Sequence, residues 1–66
     1  MLRELRFIEY WRVNKGLSQK DVAHKIGVSP VTYNRWVNEK SDPSSLAERN
    51  IRQLWGRIKG GRARKR

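Results

Sequence analysis

The chain has no cysteine and a single histidine among its 66 residues. Without thiols there is no disulfide to staple a small fold and no thiolate metal site, and one imidazole cannot build a zinc site of the usual kinds unless several carboxylates converge on it. Acid is also scarce, with six Asp and Glu against sixteen Lys and Arg. Those six are scattered, no nucleophile–base pair or phosphate-cradling glycine loop accompanies them, and the expectation is that the protein is not an enzyme. No apolar run approaches the roughly 18 residues that span a bilayer. The opening MLRELRF alternates charge with apolar side chains where a signal peptide would be continuously apolar. These absences point to a cytoplasmic protein with no metal, no cofactor and no membrane partner.

What is present is positive charge and helical periodicity. The formal charge of +10 on so small a chain predicts attraction to a polyanion. It is unevenly placed, because residues 43–66 hold eight of the basic residues and a single acid. A chain of this length makes one small domain that buries little and needs most of its large apolar side chains for its core.

No segment alternates apolar and polar residues long enough to read as a strand, so the expected fold class is all-α. A first helix runs from about Leu2 to Asn14 and stops at Lys15-Gly16. Ser18 stands at an N-cap with Asp21 in the first turn, and Val22, Ala23 and Ile26 form the inward stripe of a short second helix that ends at Gly27. Ser29-Pro30 starts a third helix, serine as cap and proline where its missing N–H costs nothing, with Tyr33, Trp36 and Val37 on one side. After the loop Lys40–Pro43, Ser44 or Ser45 caps a fourth helix that continues to about Lys59, its stripe written in Leu46, Ala47, Ile51, Leu54 and Ile58. Residues 1–59 are the domain, and residues 60–66 read as a basic disordered tail carrying Arg62, Arg64, Lys65 and Arg66.

The stretch LSQKDVAHKIGVSPVTYNRW concentrates the specific signals: a small Ala23 where two helices must approach, Gly27 at a turn that needs positive φ, and Val22, Ile26, Val28, Tyr33 and Trp36 as a shared apolar set. It resembles the helix-turn-helix of the Cro and lambda-repressor-like family, over about residues 5–55. The resemblance implies a small bundle, of four helices here or the family's usual five, whose third helix enters the DNA major groove, and a transcriptional regulator that binds as a homodimer on a two-fold symmetric site. It aligns Pro30, Val31 and Arg35 with the positions that read bases. Of these, Arg35 alone can donate a bidentate pair to guanine, a contact worth about 1–3 kcal/mol of discrimination, while Pro30 and Val31 offer apolar surface to a thymine methyl. Gln19, at the opening of the second helix, matches a phosphate contact, and Ser29, Thr32, Asn34, Asn38 and Lys40 are expected to flank the bases and meet the backbone. The basic tail adds affinity and salt dependence.

Two features depart from the family pattern. Arg12 lies on the inward face of the first helix and matches a family arginine that pairs with an acid late in the third helix, where this chain has Val37. Either Glu9 or Glu39 compensates it, or its stem carries the guanidinium out to water. The fourth helix also runs on without the break that introduces a fifth, the helix that usually makes the dimer contact. Phe7, Tyr10 and Trp11 leave the first helix apolar around much of its girth, to be buried against the fourth helix and Trp55 or left as spare surface. Two rival functions share these features: an antitoxin-like or other protein-interaction module of the same fold, and a nonspecific nucleic-acid-binding protein.

Overall fold

A computed structural model describes residues 1–60. Four α-helices follow one another in it, α1 Arg3–Lys15, α2 Gln19–Ile26, α3 Pro30–Val37 and α4 Ser45–Gly60. The starts of α2, α3 and α4 are set by side chains that satisfy otherwise orphaned backbone donors. At α2 the Ser18 hydroxyl accepts from the Asp21 backbone N–H at 3.0 Å and the Asp21 carboxylate accepts from the Ser18 N–H at 3.0 Å, a complete capping box. At α3 the Ser29 hydroxyl accepts from the Thr32 N–H at 3.1 Å, with Pro30 in the first turn. Ser44 caps α4, its hydroxyl accepting from the Ala47 N–H at 3.2 Å and its carbonyl from the Glu48 N–H at 2.8 Å.

The ends of α1, α2 and α3 share one device. After each helix a residue turns left-handed and the next N–H reaches back along the helix: Leu17 to the Arg12 carbonyl at 3.0 Å, Val28 to Ala23 at 3.0 Å and Lys40 to Arg35 at 2.8 Å. Glycine takes that position twice, at Gly16 with φ 76° and Gly27 with φ 98°. The third time it is Glu39, at φ 58°.

The four helices bury one core of Leu5 and Ile8 from α1, Val22, Ala23 and Ile26 from α2, Tyr33 and Trp36 from α3, and Ala47, Ile51 and Leu54 from α4. Leu5, Ile8, Val22, Tyr33 and Ile51 are sealed completely, and a large apolar side chain buried in this way contributes about 1.5–3 kcal/mol relative to exposure. Helix α1 packs mainly on α4, and α2 on α3, so the two middle helices are held in a cradle made by the outer two. Asn50 of α4 adds a polar tie, its amide donating to the Ile26 carbonyl at 3.4 Å where α2 runs out.

Leu46 corrects the expected α4 stripe. It is 65% exposed, because Ala47, Ile51, Leu54 and Ile58 define a face that Leu46, one step off Ala47, does not share. Phe7 and Trp55 do meet across α1 and α4, with ring centroids 5.3 Å apart and a 40° tilt. Tyr10 and Val13 remain on the outside. Helix α4 includes Gly60, one residue past the expected domain boundary, and the tail residues Arg62, Arg64, Lys65 and Arg66 lie outside the described residues.

Candidate nucleic-acid interface

Helix α3 has two opposite faces. Tyr33 and Trp36 turn wholly inward and Val37 is half-buried, while Pro30, Val31, Asn34, Arg35, Asn38 and Lys40 are exposed and Thr32 lies between. At about 100° per residue, the two buried aromatics leave the opposite arc to Val31 and Arg35, in agreement with the sequence pattern. Val31 is 69% exposed, an apolar side chain that no described part of the domain covers. Arg35 takes part in none of the ion pairs among the described residues. Its guanidinium is available for an external partner.

Beside Arg35 the side-chain amides join into a row. Asn38 Nδ2 donates to Asn34 Oδ1 at 3.0 Å, and Asn34 Nδ2 donates to Gln19 Oε1 at 3.0 Å. The row runs from the end of α3 to the first residue of α2, so three expected flanking residues are brought together on one surface. Ser29 and Thr32 form a second small unit: the Ser29 hydroxyl caps the helix and donates to Thr32 Oγ1 at 3.0 Å. Lys40 is placed by the left-handed turn at Glu39, past the end of α3.

Under this surface lies a knot of polar groups. Arg12 finds its partner in Glu9, one turn back on the same helix, with Nε donating to Oε1 at 2.9 Å and Nη2 to Oε2, while Nη1 donates to the Leu17 carbonyl at 2.8 Å. Glu39, the other candidate, is exposed and serves the turn after α3. The Tyr33 hydroxyl donates to the same Glu9 Oε1 at 2.8 Å, which fastens α3 to α1. The Arg12 hydrogen bond holds the Glu9 carboxyl below the usual carboxylate range against the opposing effect of burial, and Tyr33 and the Gln19 amide hold it down further. Burial, and then the bond to Glu9, pushes the Tyr33 phenol well above its ordinary value. The Arg12 guanidinium is raised by Glu9.

The sequence offers Glu9 as a partner for Arg12 but shows Tyr33 only as a core residue. A buried tyrosine hydroxyl needs a partner, and that requirement is the signal that leads to Glu9. No buried side-chain nitrogen or oxygen among the described residues is left without a hydrogen bond.

A family model for helix-turn-helix domains matches residues 8–46. The chain belongs to the lambda-repressor-like helix-turn-helix family. No curated protein and no solved structure matches it. The matched stretch of this lambda-repressor-like domain begins inside α1 at Ile8 and reaches Leu46 in the first turn of α4, so it contains both helices of the motif, the amide row and the Glu9 knot. The family is one of DNA-binding domains, and the all-helical architecture agrees with it. Among the described residues no group of acidic and histidine side chains could hold a metal ion, and no helix is long and apolar enough to cross a membrane.

Proposed function

We propose that the protein is a sequence-specific double-stranded DNA-binding regulator of transcription, acting in the cytoplasm, that inserts α3 into the major groove. The observation that carries this reading is Arg35, exposed near the middle of α3 and opposite the buried Tyr33 and Trp36. A guanidinium held on a rigid helix is suited to a bidentate contact with guanine O6 and N7. Val31 and Pro30 supply the apolar surface next to it, and the amides of Gln19, Asn34 and Asn38, the Ser29–Thr32 pair and Lys40 surround it with groups that suit phosphate oxygens. Beyond residue 60, Arg62, Arg64, Lys65 and Arg66 add charge that any phosphate backbone attracts.

The test is selection of bound duplexes from a random pool at moderate salt. A motif with a guanine whose identity is relaxed by Arg35→Ala supports the reading, and two-fold symmetry in that motif marks a homodimer. Failure to enrich any motif refutes it and leaves nonspecific polyanion binding. Repression and activation are separated by a reporter placed downstream of the selected site.

A further inference from the structure

The amides of the α3 face have a direction, and the direction begins at a residue that does not belong to that face. Glu9 sits on α1 behind the recognition surface, its carboxylate shared by Arg12 from its own helix and Tyr33 from α3. The Gln19 amide approaches the same carboxylate from α2. An ionised carboxylate only accepts, so Gln19 must turn its NH2 toward Glu9. That leaves Gln19 Oε1 for the next residue, and Asn34 meets it with Nδ2. The Asn34 carbonyl oxygen is then left for Asn38, which again meets it with nitrogen. Each step follows from the one before, and a single part-buried acceptor orders three amides that would otherwise flip freely.

We infer that Glu9 is a positioning residue for the α3 surface: its carboxylate fixes the direction of the Gln19–Asn34–Asn38 row, and with it the atoms that this face offers to DNA. Each amide nitrogen carries two hydrogens and spends one inside the row, so Asn34 and Asn38 each keep one donor for a partner while the Asn34 carbonyl is occupied. The row therefore presents donors. Such a face suits phosphate oxygens, guanine O6 and N7, and thymine O4, and it is poorly matched to the exocyclic amino groups of cytosine and adenine. Reversal of the row would turn the pattern around with no change in any residue that touches DNA. The inference rests on the reading of α3 as the DNA-facing helix, but the order of the amides can be measured without DNA.

The experiment uses the full chain labelled with 15N. It follows the side-chain NH2 signals of Gln19, Asn34 and Asn38 in the free protein, together with affinities for a selected duplex and a random one. Glu9→Gln keeps the volume and removes the charge. Its Gln19 and Asn34 NH2 signals shift and exchange faster with water, and the selected-to-random affinity ratio falls roughly tenfold while random-duplex affinity stays within about twofold. Tyr33→Phe removes the tie between α1 and α3 but leaves the carboxylate charged, so the same amide signals stay in place. A Glu9 with only a packing role makes the two substitutions behave alike, and that outcome overturns the inference. Amide signals unchanged in Glu9→Gln overturn it equally. Should Glu9→Gln fail to fold, Glu9→Gln combined with Arg12→Gln leaves no uncompensated guanidinium and carries the same comparison. The reading of α3 as a DNA reader fails separately, when the parent binds both duplexes alike; the amide signals then still decide whether Glu9 orders the row.

Discussion

Glu39 is the one described residue other than glycine with positive φ, at 58°. Left-handed backbone costs a side-chain-bearing residue about 1–2 kcal/mol, and glycine returns about 0.4–1 kcal/mol of that as unfolded-chain entropy. Glu39→Gly should therefore stabilise the domain by roughly 0.5–1 kcal/mol and raise its melting temperature by a few degrees. A lower melting temperature would show that the Glu39 side chain contributes something the backbone geometry does not reveal. Tyr33→Phe should cost about 0.5–1.5 kcal/mol in a denaturant titration, the worth of one internal hydrogen bond, since the ring keeps its place in the core. The Glu9 carboxyl, held low by Arg12, carries a sign in pH. A carboxylate with a depressed folded pKa adds stability that is complete above its ordinary value of 4.5 and is lost as pH falls through the lower folded value. Melting temperature should drop with acid in that window, and Glu9→Gln should flatten the drop. Asp21, held low by the Ser18 backbone bond, acts in the same direction but is exposed and adds little.

Among the elements, α2 depends most on its start. It has eight residues, too few to be stable alone, and its capping box fixes the angle at which the chain leaves the α1–α2 loop. Ser18→Ala should cost about 1 kcal/mol in thermal unfolding, and Ser18→Asp much less. A neutral Ser18→Ala would mean that packing of Val22, Ala23 and Ile26 alone holds the helix. Elements are also where the sequence is most legible. Ser18, Ser29-Pro30, Gly16 and Gly27 are local signals whose meaning needs no tertiary context, and the helices they delimit stand within a residue or two of expectation. The outward arc of α3 is legible for the same reason, since two aromatics at helical spacing leave only one side free. What cannot be read are the joins. Leu46 resembles a member of the α4 stripe because apolarity does not say which of two adjacent residues faces the neighbour. The Glu9–Tyr33 bond spans 24 residues, and no local pattern announces a partner so far along the chain. The turn at Glu39 is hidden because it is made without glycine.

For the molecule as a whole, charge and shape act at different ranges. A formal charge of +10 draws in any polyanion over a Debye length, about 8 Å at physiological salt, whereas Arg35 discriminates only on touching a base. Removal of residues 61–66 takes away Arg62, Arg64, Lys65 and Arg66 and should make the slope of log K against log salt shallower, by up to about 0.9 for each phosphate the tail neutralises. Preference among sequences should be left nearly intact. Loss of preference on removing the tail, with none on Arg35→Ala, would assign recognition to the tail.

The pairing of α1 with α4 has a further consequence in time. The helix that faces outward is neither first nor last in the chain, yet Ile51 and Leu54, which complete the core beneath it, come after it. During synthesis α2 and α3 leave the ribosome while the wall that holds them is still being made. The nascent motif can form its turns and caps early, but its arginine gains a fixed bearing only when the last helix closes the cradle, so a stalled or shortened chain would carry the whole recognition sequence and still be unable to read.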